Sequence, residues 1–438
     1  MPIFRKEQLN KNSQKTEMLD IIIVLWIFSS ALLKSVLYFF NLESNSGQLA
    51  IVYILVAITS AFLCFKYFSR MIPASYMVVV LLFFVIGTSF VFTGLRFGFS
   101  GAKYFSEFKS FFAMVICTML ITLLVTWRRK TDINLNVIFA AILLLSLISF
   151  LSLFKGDSIT TGGYIRDSSG LIYQNVSYYS AHAFGLTLFH FSESRRIKPL
   201  SWFNKIIYLI LLIIQTSTCL LSGGRGGLVL LFVIFITSVI FTYGKKSYKI
   251  VIPSTIFVLI IRYTVPWLID LLGINIKGFT RIMNFLGGDI LRDARFGLYS
   301  QSLSVFYEKP LLGNGIGSVF SFFNSYSHNL FLDILVEIGL IGLLLFVVLL
   351  IVFIKKCIFL YHQGSLFRFL IYIFICGMTL NLFSGYVWSN QFVWLPIAVI
   401  LTVQQSVDFH KPVDSSENIT SDNDDQDDSH ILDTENNG

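Results

Sequence analysis

The sequence predicts a polytopic all-α membrane protein, and three observations lead to this fold class. Of the 438 residues, 55% are hydrophobic and only 13% are charged, and the mean hydropathy is +0.74; soluble globular chains are far less apolar. Apolar runs of about 18 to 25 residues recur along the chain, each long enough to cross roughly 30 Å of hydrocarbon. These runs lack the two-residue alternation of transmembrane β-barrel strands.

Twelve apolar runs are predicted to span the membrane: 18–40, 49–68, 72–94, 104–127, 135–154, 173–192, 203–222, 226–243, 249–272, 330–354, 367–388 and 391–407. The first is too long for a signal-peptide core, so no cleavable signal is expected. The chain then divides into a cytoplasmic N-terminus (1–17), helices 1–9 (18–272), a large outer loop with an amphipathic helix (273–329), helices 10–12 (330–407) and an acidic, disordered cytoplasmic tail (408–438).

The basic residues predict that both termini lie in the cytoplasm. Short loops on one side of the spans collect Lys and Arg, as cytoplasmic loops do. Three loops on the other side, Asn41–Gln48, Ser222–Gly226 and Ser384–Asn390, hold one basic residue between them, Arg225. Because Pro412–Gly438 contains nine acids and no Lys or Arg, the rest of the chain carries about +17. This charge follows membrane topology, and nucleic acid is excluded as a partner.

The outer loop 273–329 contains two recognisable pieces. The stretch DILRDARFGLYSQSLSVFYEKP has apolar residues at helical spacing, which predicts an amphipathic helix that ends near Pro310 and lies against the membrane or the bundle. The glycine-rich turn LLGNGIGS follows it. No outer loop contains the Asp-x-Asp pattern of a divalent-metal site, and the five cysteines lack metal-ligand spacing. We therefore expect no cofactor, no metal and a metal-independent mechanism.

Arginines on the outer side are candidates for binding an anion. Arg225 stands between glycine pairs in CLLSGGRGGLVLL, where flexible backbone amides and one guanidinium suit a phosphate. Arg292 and Arg295 lie on the predicted amphipathic helix, and Arg166 lies in the loop Lys155–Ile172. The alternatives are a tight turn with a snorkelling arginine for Arg225 and ordinary solvated charge for Arg292.

His328 stands where a polar stretch turns into a membrane helix, on the same predicted side as these arginines. Asp333 and Glu337 follow on one face of that helix, and intramembrane acids usually face a bundle interior or a wet cavity. Interfacial anchoring and helix–helix contacts are the alternatives. Because this side of the membrane has no nucleotides, an enzyme there needs an activated substrate from the bilayer, such as a lipid-linked pyrophosphate. The arginines would bind the diphosphate, and His328 would accept the proton of an attacking hydroxyl.

The C-terminal third of the chain resembles the signature region of the bacterial O-antigen polymerase and O-antigen ligase superfamily. The motifs that carry the resemblance are Arg295 with Tyr299; Pro310, Gly313, Gly315 and Gly317; His328 and Asn329; Glu337, Gly339 and Gly342; the SGGRGG turn at Arg225; and Arg166, Gly170 and Asn175. A proline commonly precedes the family's Asn, whereas this chain has Gln174 before Asn175.

The resemblance implies a glycosyltransferase with a GT-C-like helical bundle that uses undecaprenyl-diphosphate-linked sugars at the outer face of the bacterial cytoplasmic membrane. It assigns the diphosphate to Arg225, Arg295 and Arg166, and the acceptor hydroxyl to His328. Arg292 is a further candidate for the diphosphate because of its place on the predicted amphipathic helix. Asn329, Asp333, Glu337 and Tyr299 are predicted to support the site. A chain-length regulator and a flippase are candidate protein partners, alongside the lipid bilayer.

The favoured function is a repeat-unit polymerase for O-antigen, capsular polysaccharide or exopolysaccharide. The nearest alternative is the O-antigen ligase, which transfers the glycan to lipid A core. An alternative of a different class is a lipid-linked oligosaccharide flippase or other transporter. A transporter places ionisable groups near the middle of the membrane in broken helices, whereas the candidate groups here cluster on one side.

Overall fold

The computed structural model describes residues 18–33, 46–66, 72–98, 102–128, 131–154, 173–256 and 295–403. Every regular element within these ranges is a helix, which confirms the predicted all-α class. Outside them lie the N-terminal segment, the loop 155–172 with Arg166, the stretch 257–294 with Arg292, and the acidic tail. The predictions for those segments stay predictions.

The helices were numbered in chain order: α1 Met18–Leu33, α2 Ser46–Lys66, α3 Ala74–Phe97, α4 Ala102–Trp127, α5 Leu135–Phe154, α6 Tyr173–Ile197, α7 Trp202–Leu221, α8 Arg225–Tyr243, α9 248–256, α10 Arg295–Glu308, α11 Ser318–Phe323, α12 Leu330–Leu360, α13 Ser365–Phe383 and α14 Gln391–Thr402. Short 3₁₀ turns occur at Gly244–Ser247 and Val387–Ser389.

Seven helical segments in the described ranges are long and apolar enough to cross a membrane. They are α3, α4, α5, α7, the stretch Arg225–Ile256, α12 and α13, while α1, α14 and the apolar part of α2 are shorter. The helix α6 was predicted as a span, but it is too polar to be among the seven. It packs against α5, α7 and α8, and its residues Ser177, Ser180, Thr187 and Glu193 are buried. A helix surrounded by protein needs no lipid-facing apolar surface. The total of twelve spans stays a prediction.

Ion pairs join several helices at one end of the bundle. Asp20 of α1 pairs with Arg128 after α4 and also accepts from the Asn134 backbone N–H at 2.9 Å. Arg368 of α13 donates to both carboxylate oxygens of Glu193 near the end of α6, at 2.8 and 2.6 Å. Arg128 and Arg368 come from segments that were predicted to lie on the cytoplasmic side, and the structure places both at this end, which we call the ion-pair end.

Helix length places the other functional segments at the opposite end. The 25 residues of α6 extend about 37 Å, and near its start Ser177 Oγ donates to the Gly224 carbonyl at 2.9 Å. Arg225 therefore lies far from the ion-pair end. The helix α12 reaches the ion-pair end near Tyr361, whose carbonyl accepts from Arg368 at 3.0 Å. Its first residues, next to His328, therefore also lie at the opposite end, which we call the site end.

Residues Arg295–Glu308 of the predicted amphipathic stretch form α10, which ends two residues before Pro310 as expected. The first residues of that stretch, 289–294, lie outside the described residues. This helix packs against α12. Its apolar residues Phe296 and Leu303 are exposed on the protein surface, and Ser302 is buried. In a membrane chain such exposed apolar residues are free to contact lipid.

Candidate active site

The helix α12 is interrupted at Gly339, nine residues after it begins. Gly339 has φ 65° and ψ −167°, a conformation that is essentially restricted to glycine. In a regular helix the Leu340 N–H would donate to the Val336 carbonyl, and the Ile341 N–H to the Glu337 carbonyl. The interruption leaves these four backbone groups in need of other partners, and unpaired groups would be costly inside a membrane protein.

The glycine-rich turn between α10 and α11 supplies all four partners. Leu340 N–H donates to the Pro310 carbonyl at 2.9 Å and Ile341 N–H to the Leu311 carbonyl at 3.2 Å. In return, the Val336 carbonyl accepts from Asn314 N–H at 2.9 Å, and the Glu337 carbonyl accepts from Gly315 N–H at 2.7 Å. The turn and the interrupted helix therefore form one hydrogen-bonded unit, which we call the helix-break clamp (residues 310–315 and 336–341).

Close backbone contact explains the glycines of the motif. A Cβ atom on Gly313 would lie 2.5 Å from the Glu337 carbonyl carbon and 2.6 Å from the Ile338 nitrogen. A Cβ atom on Gly339 would collide with the Leu311 carbonyl, and one on Gly315 with the Thr93 hydroxyl. All three glycines also have positive φ. The spacing of glycines thus reflects the geometry of the clamp.

Glu337 connects the clamp to two further segments. Its Oε1 accepts from the Gly317 backbone N–H at 2.8 Å and from the Tyr386 hydroxyl at 2.7 Å, and Oε2 accepts from the Trp388 indole N–H. The Glu337 side chain is fully buried. Burial, with the Glu337 carboxylate as a second cause, raises the pKa of Tyr386 well above its ordinary value, so the hydroxyl stays protonated and donates. Three donors from two loops thus meet at one carboxylate.

His328 occupies a tight turn that the start of α12 holds in place. Its φ is 62°, an uncommon value for a residue other than glycine, and such outliers cluster at functional sites. Asn329 caps α12 by accepting from Phe331 N–H and Leu332 N–H at 3.0 and 3.3 Å. The Asp333 carboxylate reaches back to accept from Ser327 N–H at 2.8 Å. The residues on both sides of His328 are therefore fixed by hydrogen bonds, and its half-buried imidazole lies beside the Tyr326 ring, 4.3 Å between centroids.

Four polar residues near the turn of His328 were not predicted from the sequence as part of the site. Lys103 donates to the Asn324 carbonyl at 2.8 Å, and Glu107 accepts from the Ser389 hydroxyl at 2.7 Å. Both belong to the first turns of α4, while Tyr386 and Trp388 lie in the loop before α14. Glu107 could have been found, because an acid inside a predicted span is a signal of a functional or buried polar site. Tyr386 and Trp388 could not, because only tertiary packing brings them to Glu337.

The glycines around Arg225 also have a packing role. The start of α6 lies against this turn so closely that a Cβ atom on Gly224 or Gly227 would collide with Ser177, and one on Gly226 with the Tyr178 hydroxyl. The sequence had suggested exposed, flexible amides, but Gly224 and Gly227 are buried. Arg225 itself begins α8 and is half-buried.

The remaining predicted residues fall in separate places. Arg295 and Tyr299 both lie in the first two turns of α10 and are half-buried. Asn175 lies in the first turn of α6, next to the residues that contact the Arg225 turn. Arg166 and Arg292 lie outside the described residues. His328, Asn329, Asp333 and Glu337 lie in one continuous segment of the chain, and the structure places Arg225 at the same end of the bundle.

These features define a class of protein: a polytopic α-helical membrane protein with a histidine-bearing turn at one end of the bundle. Residues 209–347 match the model of the O-antigen ligase family. The match confirms the resemblance to the O-antigen ligase and polymerase superfamily and indicates a function of that type. It includes Arg225, Arg295 and His328 but not Arg166, and it gives the transporter alternative no support. No curated protein matches the chain.

The clamp predicts a large difference between two Gly→Ala substitutions. Gly313→Ala forces a Cβ atom into the backbone of α12 at a positive φ, so we expect a loss of several kcal/mol in stability. Gly297→Ala in α10 is the control, because a Cβ atom there meets no atom within 4 Å. Thermal unfolding of both purified variants in one detergent measures the difference. Equal midpoints would show that the clamp contributes nothing to stability.

Glu337 offers a second prediction, because glutamine and alanine should differ. Glu337→Ala leaves three buried donors unpaired, at about 1–3 kcal/mol each, whereas Glu337→Gln keeps one acceptor oxygen. We therefore expect Gln to be milder in stability and in glycan product at matched protein levels. The double variant Glu337→Gln/Trp388→Phe removes the donor that opposes the new amide and should recover part of the loss. A Gln variant as inactive as the Ala variant would instead indicate proton transfer by Glu337.

Proposed function

We propose that the chain is an oligosaccharide repeat-unit polymerase. It joins undecaprenyl-diphosphate-linked repeat units into O-antigen, capsular or exopolysaccharide at the outer face of the bacterial cytoplasmic membrane, with both termini inside. One observation supports the proposal. His328 occupies a turn that hydrogen bonds hold in place, at the same end of the bundle as Arg225 and within the segment that matches the O-antigen ligase family.

In the proposed reaction, a sugar hydroxyl of the acceptor unit attacks the anomeric carbon of the donor unit. A carbon–oxygen bond forms there while the bond from that carbon to the diphosphate oxygen breaks, and the lipid diphosphate leaves with the electron pair. His328 accepts the hydroxyl proton as general base. Arg225 and Arg295 bind the diphosphate and stabilise its growing charge; Arg166 and Arg292 are further candidates for this role.

The other predicted residues act through position. Asn329 and Asp333 hold the turn that carries His328, and Glu337 holds the glycine-rich turn and the loop 384–390 against α12. Tyr299 supports Arg295 from one helical turn away. No metal is required by this scheme, since guanidinium groups supply the positive charge.

Removal of the imidazole tests the base. His328→Asn keeps a residue that tolerates positive φ, so the turn should stay folded while product formation falls by at least about 100-fold. His362→Asn is the control, because His362 is exposed near the ion-pair end. Polymer amount and length are measured in cells at matched membrane levels of each variant. Normal long-chain polymer from His328→Asn would refute the assignment.

The acceptor distinguishes a polymerase from a ligase. The purified full-length protein is incubated with lipid-linked repeat units alone, and then with lipid A core added. The proposal predicts a ladder of lipid-linked oligomers and release of lipid diphosphate without lipid A core. Transfer that occurs only when lipid A core is present would identify a ligase, the function that the matching family is named for.

A further inference from the structure

An open pocket of about 230 Å³ lies at the ion-pair end of the bundle. Its lining consists of Ser192, Arg195 and Arg196 near the end of α6 and Thr242 and Tyr243 at the end of α8. The Arg225 turn begins α8, so the whole length of that helix separates the pocket from the site end. The pocket therefore takes no part in the proposed transfer reaction.

The two arginines of this pocket keep hydrogen-bonding capacity available. Among the described residues, Glu193 lies close to Arg196, and Arg368 already donates to both of its oxygens. The Arg196 Nε lies 3.6 Å from Glu193, and its Nη2 donates to the Tyr361 hydroxyl at 3.2 Å, while 41% of the side chain is exposed. Arg195 is exposed over the Phe191 ring, and no carboxylate in the described part of the chain forms an ion pair with it.

The pocket combines this charge with hydroxyl donors and a neighbouring apolar surface. Guanidinium groups and the hydroxyls of Ser192, Thr242 and Tyr243 are the donors that suit phosphate oxygens. Exposed apolar side chains neighbour the lining residues in the chain: Ile197 follows Arg196, and Ile240 and Phe241 precede Thr242. In a membrane-spanning chain, apolar residues at a helix end are placed to contact acyl chains, and basic pockets between such helices bind anionic lipid head groups.

We propose that this pocket binds the phosphodiester head group of an anionic phospholipid. Arg195 and Arg196 hold the phosphate, the hydroxyls of Thr242 and Tyr243 orient it, and the acyl chains lie against α8. An alternative role for Arg195 and Arg196 is to set the membrane topology, which needs no pocket. The topological role and the phosphate-binding role predict different responses to substitution. A topological charge is replaceable by any nearby charge, whereas a phosphate ligand is not.

The test measures lipid binding by the full-length protein in phosphatidylcholine nanodiscs that contain a titrated fraction of phosphatidylglycerol. Native mass spectrometry counts bound phosphatidylglycerol for wild type, Arg195→Gln and Thr242→Val. Lys198→Gln is the control, since it removes the same charge from an exposed residue that does not line the pocket. We expect about tenfold weaker binding for Arg195→Gln, a smaller loss for Thr242→Val and less than twofold for Lys198→Gln.

Several outcomes would overturn the proposal. Equal losses for Arg195→Gln and Lys198→Gln would show a diffuse surface charge. Equal binding of phosphatidylglycerol and phosphatidylethanolamine would show that the anionic charge of the lipid is not recognised. Displacement of the lipid by millimolar inorganic phosphate would show a site for soluble phosphate. If Arg195→Gln unfolds at a lower temperature than wild type, Arg195→Lys replaces it, and unchanged binding by that variant would exclude a planar phosphate contact.

Discussion

The interruption of α12 at Gly339 is the constraint on which the site depends. A helix that breaks inside a bundle leaves backbone donors and acceptors that lipid cannot satisfy, and here residues 310–315 satisfy four of them. The glycine-rich turn is consequently part of the helix rather than a free loop. The turn is hydrogen-bonded to the interrupted part of α12, and α11 follows it directly in the chain. These hydrogen bonds therefore set the path of the chain toward His328.

Glu337 extends this constraint from backbone to side chains. It lies two residues before the interruption, and its carboxylate collects donors from Gly317, Tyr386 and Trp388. The loop before α14 is thereby fixed against the glycine-rich turn, and the same loop contacts the start of α4 through Ser389 and Glu107. Four separate parts of the sequence meet at the site end, and one buried carboxylate joins three of them.

Local patterns predicted the helices and the position of His328, but not the contacts that organise the site. Apolar runs locate spans because each helix satisfies its own backbone, and the polarity change before α12 located the turn of His328. The interruption at Gly339 could not be predicted, since a glycine in an apolar helix is common and its partners are residues 310–315. The interior position of α6 could not be predicted for a related reason, because the burial of a polar helix depends on the helices that pack against it. Tyr386 and Trp388 carry no local signal at all.

The hydrogen bonds that Asp333 and Glu337 already accept explain why the histidine is the proposed proton acceptor. Glu337 accepts from three donors, and a sugar hydroxyl could reach it only if the glycine-rich turn moved away, at the cost of unpaired backbone groups in α12. Asp333 accepts from Ser327 N–H, and losing that bond would release the turn of His328 itself. Both acids are buried, whereas the imidazole is half-buried at the end of the bundle. In the proposed reaction, the sugar hydroxyl of the lipid-linked acceptor unit is therefore expected to reach His328 rather than either acid. Asp333 holds the turn of His328, and Glu337 holds the glycine-rich turn and the loop 384–390.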